Sequence, residues 1–369
     1  MHIDQTLDQL DTPCVLVDLD VLERNIERMA RFAVAQGVTL RPHAKSHKTL
    51  GVAERQRAAG CTGLTVAKLD EADAFLAAGF DDLFIANEVV GEDKWRRLVA
   101  LQQRGQVAIG IDSPEAADGL NAVASAEGVA VPVLIEVDSG LGRAGVLPGD
   151  PVLQLAQHLS RLRHLRPRGV FTHAGHAYGA ASPEEVARIG RAEGEVLVET
   201  AELLRTHGIQ CEVVSVGSTP TAMHAGAVVG VTEIRPGNYV FFDRMQVALG
   251  VAALADCALT VLARVISRPQ PHRAVLDAGS KTFALDRGAH SMEAVAGYGE
   301  DCQHGLILQR LSEEHAVIEN ADQSIHVGQR VRVVPNHACT VTNLADALVG
   351  VRADRVREVM PVLARGGGR

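Results

Sequence analysis

Short runs of β-branched and other apolar residues recur along roughly the first 250 positions, separated by longer stretches in which apolar residues return every three or four positions. The runs are VTLRPHA (38–44), GLTVA (63–67), DLFIAN (82–87), VAIGID (107–112), PVLIEVD (132–138), GVFTHAG (169–175), CEVVSVG (211–217) and EIRPGNYVFF (233–242). Stretches such as EADAFLAAG, PVLQLAQHLSRL and EEVARIGRAEGEVLVETAELLRTHG keep their apolar residues on one face at helical spacing. Eight strands alternating with helices predict a (β/α)8 TIM-type barrel. Beyond about residue 250 the pattern changes to long alternating runs without helices between them: ALTVLARVISRP, RAVLDAGSK, GLILQRLSEEHAVIE, QRVRVVPNHAC and ALVGVR. That pattern predicts an antiparallel β domain. The segment TPCVLVDLD (12–20) is a strand that precedes the barrel and can join either unit. The expected division is residues 20–248 for the barrel, and residues 1–19 with 249–369 for the β domain.

Composition narrows the class. The chain has 369 residues, 47% of them apolar, with 35 glycines and few aromatics, the usage of a large α/β interior. Acidic residues outnumber basic ones, 45 to 36, for a formal charge of -9, and no basic run of five or more is present. Nucleic acid is therefore not an expected partner. No stretch approaches the roughly 20 apolar residues of a membrane span, and the acidic start MHIDQTLDQLDTP has no hydrophobic signal core. Six cysteines lie far apart with no CxxC pair, which suits a reduced compartment, and the cytoplasm is the expected location.

Active sites of such barrels form at the C-terminal ends of the strands. The predicted strand ends deliver His43, Lys45, Asn87, Asp112, Asp138, His173, Gly217 with Ser218, and Asn238 with Tyr239. A lysine within the cationic cluster Arg41-Pro42-His43-Ala44-Lys45-Ser46-His47-Lys48, set against barrel walls of low dielectric, has its pKa pushed down, as suits an amine that must form an imine. The same charges can equally be solvated at a helix start. Glycine-rich turns after strands seven and eight, VGSTPT (216–221) and PGNY (236–239), suit a phosphate cup made by Gly217, Ser218, Thr219, Gly237, Asn238 and Tyr239. The motif Pro335-Asn336-His337-Ala338-Cys339 closes a predicted strand, where residues two apart share a face, so His337 and Cys339 can grip one metal.

DTPCVLVDLDVLERNI, LRPHAKSHKT, VAKLDEADAFLAAGFDDLFIANEVVG, GLGRAGV, HAGHAYG, GSTPT, RPGNYVFFD and PNHAC together resemble the D-serine dehydratase and D-threonine aldolase family, fold-type III pyridoxal-phosphate enzymes built on an alanine racemase-like barrel and β domain. The resemblance implies a pyridoxal 5'-phosphate- and metal-dependent lyase acting on a small D-3-hydroxy amino acid. Lys45 becomes the cofactor lysine and the base at Cα, and Lys48 a surface or supporting charge. Arg143 would face the pyridine nitrogen, or else pair with Asp138 or Glu136. His43 joins the cofactor pocket, His173 would stack on the ring, Tyr178 would be an acid or base near the substrate, and His176 would satisfy core hydrogen bonds. His337 and Cys339 match the dehydratase side of the family, where aldolases carry His-x-Asp. A thiolate–imidazole pair favours zinc, with manganese or magnesium as other candidates. HAGHAYG, GSTPT and the His-x-Cys pair lean to dehydration; IANEVVG leans to the aldolase. Racemisation needs no metal, and small non-catalytic cofactor carriers lack a β domain. Relatives of this fold imply a homodimer.

Overall fold

The computed structural model describes residues 3–289, 295–319, 321 and 325–368. Strand β1 (Cys14–Asp18) runs straight into α1 (Leu19–Gln36), which Asp18 caps by accepting the Asp20 and Val21 amides at 3.1 Å. There follow β2 (Thr39–Leu40), α2 (Leu50–Ala58), β3 (Leu64–Val66), α3 (Leu69–Ala77), β4 (Asp82–Glu88), α4 (Glu92–Gln102), β5 (Gln106–Ile111), α5 (Pro114–Ala126), β6 (Val131–Glu136) and α6 (Asp150–Leu159). The alternation finishes with β7 (Leu165–Phe171), α7 (Pro183–Thr206), β8 (Val213–Val216), α8 (Ala222–Ala225), β9 (Glu233–Ile234) and α9 (Arg244–Ala248). Strands β2 to β9 make one parallel sheet in the order β2-β9-β8-β7-β6-β5-β4-β3. The sheet curls until its two ends meet, where His43 bridges Thr65 and the Thr65 amide donates to the Pro42 carbonyl at 2.8 Å.

Two strands are much shorter than their apolar runs predict. β2 stops at Leu40 and β9 at Ile234. Each is followed within two residues by a proline, Pro42 or Pro236, which has no N–H for the ladder. The chain then tightens into 3₁₀ turns at Ala44–Ser46 and Asn238–Val240. These breaks set functional residues at the barrel mouth.

The second sheet comprises β10 (Leu259–Gln270), β11 (Arg273–Leu276), β12 (Gly299–Asp301), β13 (Arg310–Leu311), β14 (Ala316–Ile318), β15 (Arg330–Pro335), β16 (Ala347–Arg352) and β17 (Arg355–Pro361), with short helices α10 (Ser280–Phe283) and α11 (Ala338–Leu344). Its order is β13-β14-β11-β10-β1-β16-β17, with β15 laid against β10 and β12. β1 pairs antiparallel with β10 and parallel with β16, so the first strand of the chain lies inside this sheet. The barrel itself is plugged by an apolar cluster of Phe84, Leu134 and Phe171, with the two rings edge to face at 4.9 Å and the Arg235 guanidinium over both. Among the described residues no helix is long and apolar enough to cross a membrane.

Phe171 is 1% exposed and shares its packing with only a few interior side chains. Phe171→Ala is expected to lower stability by about 3–5 kcal/mol in urea unfolding; a loss below about 1 kcal/mol would mean that the barrel interior collapses around the cavity.

Candidate active site

The turn Ala44–Ser46 carries Lys45 into the barrel mouth. His43 fixes it from both sides: its backbone bridges Thr65 and its Nδ1 accepts the Lys45 amide at 3.4 Å. The Lys45 amine opens toward the mouth and makes no hydrogen bond among the described residues. Desolvation lowers its pKa, Arg143 and Arg235 lower it further, and Cys339 and Glu71 pull the other way. His43 is held well below its usual pKa, first by burial and then by Lys45, Arg235 and His173, so its imidazole is neutral. Lys48 is not a surface charge. It is 7% exposed, and its ammonium meets Glu71 at 3.2 Å and Asn343 of α11 at 2.8 Å, because Glu71 is itself buried and requires a counter-charge.

Arg143 sits on the loop between β6 and α6. Asp138 accepts the amides of Gly140 and Gly142, and Asp112 accepts that of Gly145 at 3.3 Å, so both carboxylates shape the loop rather than bind Arg143. The guanidinium is half exposed and lies 3.5 Å from Glu136. His173, after β7, engages the Gly217 carbonyl through Nδ1 at 3.2 Å.

The two glycine-rich turns behave differently from one another. The Gly217 amide donates to Glu193 at 2.9 Å, and Glu193 also takes the Thr221 hydroxyl at 2.6 Å, so Gly217 supplies the bend and not a free donor. The amides of Thr219, Gly237, Asn238 and Tyr239 have no partner among the described residues, and neither does the buried Asn238 Oδ1. The Tyr239 side chain points away from the mouth, its hydroxyl accepting from Gln56 at 3.0 Å in the core, so only its backbone is available. An unbonded amine at the mouth on one side and several unbonded buried amides on the other suit an aldehyde with a phosphate tail, which is the shape of pyridoxal phosphate.

From the second sheet, α11 packs its N-terminus against the Lys45 turn. The strand expected to carry His337 and Cys339 stops at Pro335; His337 is the N-cap of α11 and Cys339 lies in its first turn. The two side chains nonetheless stand close enough to shift each other's pKa, Cys339 raising that of His337 and His337 lowering that of Cys339. Cys339 Sγ lies 3.3 Å from Ser46 Oγ, and His337 Nδ1 lies 2.6 Å from Asp286. Burial opposes the His337 charge, but Cys339 and Asp286 outweigh it and carry the pKa up to about 10. Burial likewise raises the Cys339 thiol, yet His337 and Ser46 bring it below its usual value. With Nδ1 committed to Asp286, Nε2 is the nitrogen that a cation would bind on displacing its proton, the arrangement common at metal-binding histidines. Among the described residues no group of three or more His, Cys, Asp or Glu has metal-binding geometry. Tyr178 is pushed above its usual pKa by burial, with Asp243 and Cys339 adding to it. His176 Nδ1 is buried without a partner, contrary to the expected core role, and its ring lies against Gly140.

Several supporting groups escape a reading of spacing. Asp243 is fully buried and holds the Asn238 amide group, the Ala338 amide and the Gln246 amide, tying the PGNY turn to α11. Arg235, also buried, donates to Ser215 and to the Thr172 carbonyl. Glu193 did leave a signal, since it lies between Ile189 and Leu197 on the apolar face of α7.

The profile of the alanine racemase N-terminal domain matches residues 17–245, and that of a serine dehydratase domain matches residues 258–351. The D-threo-3-hydroxyaspartate dehydratase of Delftia sp. (strain HT23) is 39% identical over 95% of this chain and 96% of its own. The D-threonine aldolase of Filomicrobium marinum superposes with a TM-score of 0.93 at 32% identity, covering 100% of both chains. A metal-free form of a cysteine-to-alanine variant of a D-threo-3-hydroxyaspartate dehydratase superposes at 0.91 with 37% identity, over 97% of this chain and 99% of that one.

Removing Lys48 strands Glu71 in the interior. Lys48→Met is expected to cost about 3–5 kcal/mol in denaturant unfolding, and the pair Lys48→Met with Glu71→Gln to recover most of it. Equal stability of the single and double variants would show that the ion pair is not what the junction requires.

Proposed function

The chain belongs to the alanine racemase-like family of the D-serine dehydratases and D-threonine aldolases, and from that premise we propose that it is a pyridoxal-phosphate- and metal-dependent lyase that removes water from a D-3-hydroxy amino acid, D-serine or D-threonine. The observation that carries the choice of dehydration is Cys339: its thiol, with a pKa that His337 and Ser46 lower, and the His337 imidazole stand against the Lys45 turn, a sulfur–nitrogen pair suited to zinc, with manganese or magnesium as weaker fits. Residues 20–248 would hold the cofactor, and residues 1–19 with 249–369 would bring the metal pair.

Lys45 would hold the cofactor, with Arg143 toward its ring nitrogen, His43 and His173 beside the ring, and Ser218, Thr219, Gly237, Asn238 and Tyr239 around the phosphate; Gly217 supports their turn. When bound, pyridoxal phosphate supplies an electron sink for charge developing at Cα, and a divalent cation a Lewis acid for the 3-hydroxyl. The chain's own work is proton handling and placement. Lys45, whose pKa burial lowers, would take the Cα proton. Tyr178 keeps its proton and can offer it to the departing oxygen. Asp286 fixes the His337 tautomer, and Ser46 steadies Cys339. The product then hydrolyses to a 2-oxo acid and ammonia. The superposition on a D-threonine aldolase over the full chain supports a second reading, in which a base takes the hydroxyl proton and the Cα–Cβ bond breaks to glycine and an aldehyde.

The free cysteines agree with a reduced cytoplasm, and a homodimer is the proposed assembly, to be checked by size exclusion. The decisive assay offers D-serine, D-threonine and their L-enantiomers to protein supplied with pyridoxal phosphate and zinc or manganese. Dehydration predicts 2-oxo acid and ammonia from the D-forms only; glycine with aldehyde would make it an aldolase, and exchange of Cα stereochemistry alone would make it a racemase.

A further inference from the structure

Two carboxyl side chains with no part in the scheme above face each other inside the barrel, beneath Arg143. On β6, Leu134 belongs to the interior apolar cluster, and Glu136, two residues on and so on the same face, is 3% exposed. On β4, Phe84 belongs to the same cluster, and Glu88 ends the strand after a bulge in its pairing with β5. Between them β5 presents Gly110, in register with Glu88 on one side and Leu134 on the other. A Cβ at 110 would stand 2.7 Å from the Phe171 ring. β4 and β6 are two strand spacings apart, about 10 Å, and two glutamates meet across that gap only over a residue without a side chain.

Glu88 Oε1 and Glu136 Oε2 are both buried and have no hydrogen-bond partner among the described residues, and Glu88 stands close enough to Glu136 to raise its pKa. Ionised carboxylates only accept. A hydrogen bond between two of them therefore needs a proton held in common. The charged groups that face the pair are Arg143, 3.5 Å from Glu136 Oε1, and Arg235 from the end of β9. β7 offers Phe171, and Asp112 beyond Gly110 is engaged with the Gly145 amide. Burial raises Glu136 most, and Glu88 adds to it; Arg143 and Arg235 oppose, and the balance lies at about 8.

We propose that Glu88 and Glu136 hold one proton between them and act as positioning residues for Arg143, setting how its guanidinium meets the ring of the cofactor. The cofactor's presence rests on the family reading above; the shared proton does not. With the proton in place the pair carries one negative charge, matched by one guanidinium, and Arg143 keeps N–H groups directed at the mouth. Once the proton leaves to solvent at alkaline pH, two carboxylates draw Arg143 down and away from the ring. The group is protonated below its raised pKa and ionised above it, so the positioning is lost as pH rises.

Two readouts test this in the full chain. Infrared titration of the cofactor-free protein is expected to show a protonated-carboxyl band that fades as pH passes about 8. Glu136→Gln and Glu88→Gln should each remove that component, while the contributions of buried Glu193 and Asp243 persist. In the holoenzyme, the alkaline transition of the cofactor absorbance should vanish or move by more than about one pH unit in either variant. Both glutamines keep the size and a hydrogen-bonding group, and circular dichroism verifies their folds. An infrared component shared by wild type and both variants overturns the shared proton. A band lost in the variants with an unmoved absorbance transition overturns the positioning role. A wild-type chain that takes up no cofactor refutes the family reading, and the infrared titration still decides the proton.

Discussion

The geometry of the site depends on how closely the turn bearing Lys45 packs between the PGNY turn and α11. A Cβ at position 237 would lie 2.6 Å from Ser46 Oγ and 3.0 Å from the His43 carbonyl, so the two turns touch backbone to backbone only because residue 237 is glycine. That contact presses Ser46 onto Cys339 and brings Lys48 to Asn343. Desolvation of Lys45 at that junction is the first cause of its lowered pKa. One packing constraint thus joins the barrel to the second sheet and brings Cys339 to the Lys45 turn.

Charge inside the barrel is arranged in the same economical way. Arg41 binds Asp82 and Glu233, Glu233 accepts from Ser215, and Ser215 accepts from Arg235, so a chain of opposite charges runs from β2 to β9 with every main group engaged. Burying isolated charges would be costly, whereas a connected network holds the mouth rigid. Asp243 and Glu193 extend that logic to backbone amides, each gathering donors from two segments that are distant in sequence.

Much of this was legible before the fold was known. The two hydrophobic periods separated the barrel from the antiparallel sheet, and the strand ends pointed to the face where Lys45, Arg143, His173 and Asn238 gather. What spacing could not give were strand lengths cut short by Pro42 and Pro236, because apolar patterning continues past the last ladder bond. The PNHAC motif reads as a strand end, yet Pro335 breaks the ladder and the next residues turn into a helix, so His337 and Cys339 meet through a helix start. Lys48 looks peripheral in the sequence because its partner Asn343 lies 295 positions away, beyond any local signal.

The central claim is that the second sheet delivers a thiolate and an imidazole to a cation beside Lys45. X-ray absorption at the zinc edge of the zinc-loaded holoenzyme tests it most directly. The account predicts one sulfur at about 2.3 Å and one imidazole nitrogen at about 2.0–2.1 Å, the remaining ligands being light atoms, with the sulfur lost in Cys339→Ser. A first shell without sulfur, or one unchanged by that substitution, would contradict it.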